Sequence, residues 1–217
     1  MHEDVGSSTI TTPDSIACEV DALAWDKQGG LLPVVVQDAV SLRVLMLGYM
    51  DRAALETTLH TRRVTFFSRS RQCLWEKGET SGNRLDLVSI RADCDNDTLL
   101  VLANPRGPTC HLDRPSCFAE APGNFLAELD ALIATRQHDR PEGSYTTQLF
   151  DAGVQRIAQK VGEEAVEVAL ASVANDDPAL LGEAADLLYH LTVLLRARGL
   201  TIADTIAVLR DRHATTG

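Results

Sequence analysis

The spacing of apolar residues changes part-way along the chain, and that change limits the fold more than any other feature. Between Leu31 and about Val101, the segments LLPVVVQD, LRVLMLGYM, RVTFFSRS and LDLVSIRA are separated by turns rich in Gly, Asp, Asn and Arg. Such short runs between turn residues read as strands. One interruption, DRAALETTLHTR, has helical composition. From Gly123 onward, NFLAELDALIATRQ, FDAGVQRIAQKVGEEAVEVALASV, PALLGEAADLLYHLTVLLRARG and TIADTIAVLRDRH repeat apolar residues at three- and four-residue intervals, the spacing of a helix buried along one face. Strands followed by helices, rather than alternating with them, predict two domains and not one wound sheet. The expectation is a mainly β (α+β) domain over residues 19–120 and an all-α helical bundle over 121–217. Within the bundle, RQHDRPEGSYTT (136–147) reads as a polar loop. Residues 1–18 are expected to be a flexible N-terminus, because MHEDVGSSTITTPDS repeats with neither period.

Charge narrows the function. The formal net charge is -11, and both halves share it: 12 basic and 17 acidic side chains in residues 1–120, 8 and 14 in residues 121–217. A surface that coats nucleic acid needs a basic face to release counterions, so no nucleic-acid partner is expected, whereas a phosphorylated small molecule held by local Arg, Lys or a divalent metal is. No apolar run approaches the roughly 20 residues that span a bilayer, and the polar start resembles neither a signal nor a transit peptide. A cytoplasmic protein without membrane partners is expected. Five cysteines, an odd number without extracellular context, argue against a disulfide framework.

Residues 93–97 read D-C-D-N-D. If they continue a strand, Asp93, Asp95 and Asp97 share one side and Cys94 points to the other. Three crowded carboxylates call for a cation, and oxygen ligands favour Mg²⁺ or Ca²⁺. An EF-hand fits poorly, with Thr98 where that loop needs Gly and Asn104 where it needs Glu. Cys94 finds candidate partners in GPTCHLDRPSCF: Cys110 and Cys117 could meet it around zinc. Three thiolates leave the fourth tetrahedral position open for water, whose pKa zinc lowers towards about 7. His111, beside Cys110, is the candidate proton shuttle or general base. Taken singly, each cysteine reads as a small buried hydrophobe, and Cys18 and Cys73 keep that reading. The company of Cys94, Cys110 and Cys117 favours metal.

Two further stretches carry polar chemistry. In SRSRQCLWEKGETSGNRL (68–85), Gly78, Thr80, Ser81, Gly82 and Asn83 could offer donors to a phosphate, with Arg69, Arg71 and Lys77 supplying charge; a solvated hairpin accounts for it nearly as well. Among the helices, KVGEEAVEVAL and GEAADLLYH place Glu164 and Glu167, and Glu183 and Asp186, three residues apart and so on one face. Either helix alone reads as a solvated face. Repeated on two successive apolar helices, the four acids read as ligands of a divalent metal. Lys160, four residues before Glu164, could reach a phosphate or pair with the glutamate.

VLMLGYMD, VTFFSRSR, LWEKGETSGN, DCDND and GPTCH with SCF together resemble the phosphoribosyl-AMP cyclohydrolase family over about residues 24–118. The resemblance implies Zn²⁺ on Cys94, Cys110 and Cys117 across a homodimer, Mg²⁺ on Asp93, Asp95 and Asp97, and His111 serving the hydrolysis. Its LWEKGETSGN block adds Trp75 to Arg69, Arg71, Lys77, Thr80, Ser81 and Asn83 as substrate-binding candidates. One departure is visible: the family usually has Thr-Gly after Cys-His, and here the pair is Leu112-Asp113. GSYTTQLF, KVGEEAVEV and EAADLLYHLTVLL, over about residues 124–213, resemble the phosphoribosyl-ATP pyrophosphatase branch of the all-helical nucleoside triphosphate pyrophosphohydrolases. This second resemblance implies Mg²⁺ on Glu164, Glu167, Glu183 and Asp186, with Glu163 a candidate for water activation and Lys160 for a phosphate contact. Together they imply a bifunctional hydrolase family of histidine biosynthesis acting on phosphoribosyl nucleotides: pyrophosphate leaves phosphoribosyl-ATP, then water opens the purine ring of phosphoribosyl-AMP between N1 and C6. A hydrolase of non-canonical nucleotides, a zinc-stabilised binding module and a purine deaminase remain as alternatives. The H-x-E and P-C-x-x-C signature of zinc deaminases is absent.

Overall fold

The computed structural model describes residues 16–17 and 19–214, so Cys18 and most of the expected flexible N-terminus lie outside the described residues. Backbone contacts divide the chain into two compact units, one ending at Gly123 and the other beginning at Asn124.

The first unit is built on a five-stranded sheet. Its strands are β1 (Ile16–Ala17), β2 (Leu32–Asp38), β3 (Val44–Met50), β6 (Arg84–Ala92) and β7 (Leu99–Arg106), in the order β1-β6-β7-β2-β3. β2 runs antiparallel to β3 and parallel to β7, and β6 runs antiparallel to β7. Alternation along β2 puts Leu32, Val34 and Val36 at 0% exposure on one face, the period-two pattern of a half-buried strand. Leu45, Met50, Leu85, Ile90, Leu99 and Val101 complete that core. Helix α1 (Arg52–Thr61) is the predicted helical interruption. Asp51 caps it by accepting from the Ala54 N–H at 2.7 Å, and Ala54, Leu55 and Thr58 are its buried residues.

A separate antiparallel hairpin, β4 (Thr65–Ser68) and β5 (Cys73–Glu76), carries Phe66 and Trp75 with ring centroids 5.8 Å apart. β5 is short and partly exposed, and the sequence pattern gives no strand there. β6 ends at Ala92, so residues 93–98 form the turn into β7 instead of a continued strand. Asn96 adopts φ +61°, the left-handed conformation that Asn tolerates better than most residues. The alternation expected of Asp93, Asp95 and Asp97 therefore does not hold.

The second unit is all helical: α2 (Phe125–Asp139), α3 (Tyr145–Ala174), α4 (Asp177–Ala197) and α5 (Ile202–Ala214). The polar loop expected over 136–147 contracts to 140–144. Arg140 ends α2 in a left-handed conformation, and Ser144 caps α3 by accepting from the Thr147 N–H at 3.3 Å. Asn175 (φ +55°) and the cap Asp176 join α3 to α4 by a two-residue link, which makes the helices antiparallel neighbours. Ile133, Leu149, Ile157 and Val193 form the small core. A bidentate pair from Arg196 to Asp130, at 2.6 and 2.7 Å, ties α4 to α2. Among the described residues, α4 alone is long and apolar enough to cross a membrane by length and composition. The sequence reading did not anticipate such a run, because Glu183, Asp186 and His190 interrupt it.

Helix α3 is not straight. Tyr145 and Glu164 would stand about 28 Å apart along a continuous helix, yet both reach the His190 imidazole, at 3.0 and 3.7 Å. The chain turns at Gly153, where φ is 84° and ψ 172°, a region essentially confined to glycine. Gly153→Ala, with nothing within 4 Å of an added Cβ, is expected to cost about 1–3 kcal/mol through backbone strain alone. Urea denaturation should show a lower midpoint at unchanged slope.

Candidate active sites

The β6–β7 turn gathers the three aspartates by hydrogen bonding. Asp93 Oδ1 accepts from the N–H groups of Asp97 at 3.0 Å and Thr98 at 3.1 Å. One oxygen from each of Asp93, Asp95 and Asp97 then lies within 4.8 Å of the others. Ligands on opposite sides of a hard cation stand about twice 2.1–2.6 Å apart, so the oxygen donors present fit Mg²⁺ or Ca²⁺. The turn also brings in Lys27, which no local pattern predicts: its Nζ is 2.7 Å from Asp95 and 3.5 Å from Asp97. The hydrogen bond from Lys27 holds the Asp95 carboxyl below its usual range, and Asp95 pushes the Lys27 ammonium up. Cys94 sits exposed in the same turn. Lys27 also lines an open groove of about 800 Å³ with Trp25, Asp51 and Arg52, which holds no thiol or histidine.

A second cavity, of about 400 Å³, collects much of the chemistry read from sequence. Trp75, Lys77, Thr80, Ser81, Asn83, Cys110, His111 and Cys117 all line it. Gly78, at φ +85°, brings its loop so close that an added Cβ would lie 2.4 Å from the Asn83 backbone. Lys77 is buried, donates to the Asn83 carbonyl at 3.2 Å, and is lowered by burial. The Leu112 N–H, 3.5 Å from Cys110 Sγ, draws the Cys110 thiol down. Burial, and then the neighbouring Cys110, pushes Cys117 up. His111 Nδ1 is 4.0 Å from Cys110 Sγ. On the cavity wall, Thr109 Oγ1 is buried without a hydrogen-bond partner, as suits a site completed by a ligand. Asp113, where the related pattern has Gly, adopts φ +55°; Asp is among the few residues that tolerate this, which explains how the turn survives the change.

The cavity does not collect everything. Cys94 is not among its lining residues, and the tight groups of potential metal ligands among the described residues do not include the three cysteines. Within one chain, Cys94 does not join Cys110 and Cys117. Arg69 and Arg71 lie in the β4–β5 turn rather than on the cavity wall; the Arg69 guanidinium sits 3.9 Å from the Tyr49 ring centroid. Cys73 is an exposed free thiol on β5.

In the helical unit, Glu164 and Glu167 of α3 and Glu183 of α4 place one oxygen each within 4.8 Å of the others. Asp186 is outside that tight trio; its backbone carbonyl is engaged by His190 Nδ1 at 2.9 Å. Lys160 pairs with Glu164 at 2.6 Å and Glu163 at 3.0 Å. Glu163 faces Lys160, Gln159 and Arg156 and stands apart from the trio. The hydrogen bond from Lys160 holds both Glu163 and Glu164 below the usual carboxylate range. Glu183 moves the other way, raised by burial and by the negative charge of Glu167 and Glu164. Sequence reasoning gave His190 and Tyr145 no role. Their contact joins the start of α3 to the middle of α4, a pairing that no helical spacing contains.

Residues 46–119 match the family model of phosphoribosyl-AMP cyclohydrolase, and residues 126–213 that of phosphoribosyl-ATP pyrophosphohydrolase. The chain is 63% identical over 209 residues to the histidine biosynthesis bifunctional protein HisIE of Xanthomonas axonopodis pv. citri, covering 96% of this chain and 100% of the relative. It is 62% identical over 213 residues to the protein of the same name from Xylella fastidiosa, covering 98% and 100%. To that of Escherichia coli it is 57% identical over 193 residues, covering 88% and 95%.

The raised Glu183 gives the cation-free protein a pH signature. A carboxyl whose folded pKa lies above its unfolded value contributes stability that is lost as pH rises through the folded value. Glu163 and Glu164, held low, act below the ordinary carboxylate range, so the two windows are separate. In EDTA, thermal melting should show a Tm that falls as pH rises above that range. Glu183→Gln should remove the fall and melt higher than the parent at neutral pH; a variant melting lower would contradict the crowding of charge.

Proposed function

The chain belongs to the bifunctional histidine-biosynthesis family that joins a phosphoribosyl-AMP cyclohydrolase domain to a phosphoribosyl-ATP pyrophosphohydrolase domain, and on that premise we propose how its residues divide the work. The carboxy-terminal domain hydrolyses phosphoribosyl-ATP to phosphoribosyl-AMP and pyrophosphate, and the amino-terminal domain then opens the purine ring between N1 and C6. We assign the first step to residues 121–217 and the second to 19–120, in the cytoplasm.

For the ring opening, Cys110 and Cys117 from one chain and Cys94 from a second copy would hold Zn²⁺. The observation that carries this reading is the 400 Å³ cavity, where the thiol pair meets His111, Trp75 and the 77–83 loop. Zinc supplies a polarised water at cellular pH. His111 takes a proton from the attacking water and returns one to N1 as the C6–N1 bond breaks. Trp75 offers a face to the purine, while Thr80, Ser81 and Asn83 offer donors to phosphate. Lys77 places a positive charge beside the thiols. Arg69 and Arg71, on the adjacent hairpin turn, would meet the outer part of the nucleotide. Asp93, Asp95 and Asp97 would hold Mg²⁺, which requires Lys27 to move aside.

For pyrophosphate release, Glu164, Glu167 and Glu183 would hold Mg²⁺ together with Asp186, one helical turn along α4 from Glu183. Magnesium supplies positive charge opposite the phosphate and orients water. Lys160 keeps Glu164 ionised, and Glu163, tied to Lys160, serves that lysine rather than water. A homodimer is supported by the separation of Cys94 from the other two thiols. The exposed Val166, Leu170 and Val173 of α3 and Leu181 and Leu188 of α4 support it too, as a second copy would cover them.

Mass spectrometry of products from phosphoribosyl-ATP with both metals tests the division of labour. Cys110→Ser should accumulate phosphoribosyl-AMP, and Glu164→Gln should leave the triphosphate uncut; ring-opened product from both would refute the assignments. Mixing subunits tests the shared zinc site. Cys94→Ser and Cys110→Ser are each expected to be inactive in ring opening, whereas their co-refolded mixture recovers about a quarter of wild-type activity, from the one intact site in each mixed dimer. No recovery, with mixed dimers present, would place all three thiols in one chain.

A further inference from the structure

Arg136 stands apart from the other cations of the helical unit. Arg140, Arg156, Lys160 and Arg196 are each paired with a carboxylate, on Asp151, Glu163, Glu164 and Asp130 respectively. Arg136 is half-buried, yet its hydrogen-bond partner among the described residues is a neutral hydroxyl, Thr146 Oγ1, 3.2 Å from Nη1. A guanidinium only donates, so Thr146 accepts whatever its own hydrogen does. Thr146 is fully enclosed and also meets the Tyr189 hydroxyl at 2.8 Å, which anchors one edge of the guanidinium to the core. The other N–H groups of Arg136 have no acceptor among the described residues and are not sealed from solvent. A partly desolvated cation without a counter-charge is costly, and the planar fork of a guanidinium matches the oxygens of a phosphate.

Between this guanidinium and the carboxylate trio lies a layer of rings. Tyr189, bonded to Thr146, stacks on the half-exposed Tyr145 with centroids 6.2 Å apart and planes 21° apart. Both tyrosines pack edge-on against His190, at 5.2 and 5.9 Å, and His190 is 3.7 Å from Glu164. Guanidinium, aromatic rings and carboxylates therefore follow one another in that order. Phosphoribosyl-ATP carries a matching order: a phosphate on the N1-linked ribose, then the purine, then the triphosphate. A cation held by the trio claims the triphosphate, and an aromatic face suits the purine. The far phosphate is left to Arg136. We propose that Arg136 binds the phosphate of the N1-linked ribose and so distinguishes phosphoribosyl-ATP from ATP, which lacks that group. The assignment rests on the pyrophosphatase reading of the trio.

Steady-state pyrophosphate release from phosphoribosyl-ATP by the full-length protein tests it, with ATP added as an inhibitor and Tm measured on the same samples. Arg136→Gln keeps a polar side chain and removes the charge. Its KM for phosphoribosyl-ATP should rise about tenfold at a kcat within about twofold of wild type, while the ATP inhibition constant stays within about twofold. Arg136→Lys, which keeps the charge without the fork, should recover part of the loss. A KM changed by less than about twofold overturns the proposal. So does an ATP inhibition constant that rises as far as the KM, which would put Arg136 at the triphosphate. If Arg136→Gln melts lower than the parent, Arg136→Lys at unchanged Tm decides by the same two constants. Failure of the wild-type protein to release pyrophosphate, or to need a divalent cation for it, would instead overturn the reading of the trio, and this assignment with it.

Discussion

Like charges held within 4.8 Å of one another repel, and the described residues include two carboxylate trios of this kind. Nothing in a carboxylate attracts another carboxylate, so the scaffold must supply the closeness. In the sheet unit it does so with a turn, in which Asp93 accepts two backbone N–H groups and swings Asp95 and Asp97 round to face it. In the helical unit it does so by pairing α3 with α4, which lays Glu183 against Glu164 and Glu167. Each trio recruits an ammonium, Lys27 in one and Lys160 in the other.

The two ammonium groups answer the repulsion differently. Lys160 is part of the same helix as Glu163 and Glu164 and pairs with both at i+3 and i+4, so its charge is built into α3. Lys27 comes from a 3₁₀ turn, and its side chain is half exposed. It is held to the aspartates by those pairs and by the nearby bond from the Ala24 N–H to the Asn96 carbonyl. The repulsion that these pairs leave is felt at Glu183, whose carboxyl is pushed up by burial and by the charge of Glu167 and Glu164.

Much of this was legible in the chain. The change of period near residue 120 predicted a β unit followed by helices, because burial on one face leaves a period of two in a strand and near 3.6 in a helix. The acid spacing on α3 and α4 named three of the acids that meet, and the Cys-His-x₅-Cys run named two thiols and an imidazole that line one cavity. Spacing failed where the backbone changes state: D-C-D-N-D reads as alternating strand positions but forms a turn, and Tyr145–Thr147 read as loop but open α3 once Ser144 caps them. It also could not separate neighbours on a helix. Glu163 and Glu164 look equivalent in E-E-x-x-E, yet a rotation of about 100° per residue sends one to Arg156 and the other to the trio.

By itself the sequence determined most of the element types and which acids and thiols could gather, since these follow from local periodicity and side-chain chemistry. Only the tertiary structure decided which donors meet. Lys27 with Asp95, Tyr145 with His190, and Cys94 kept apart from Cys110 and Cys117 all depend on segments far apart in the chain. Their approach is set by core packing and by the corner at Gly153, and no short-range pattern encodes a distance across the fold.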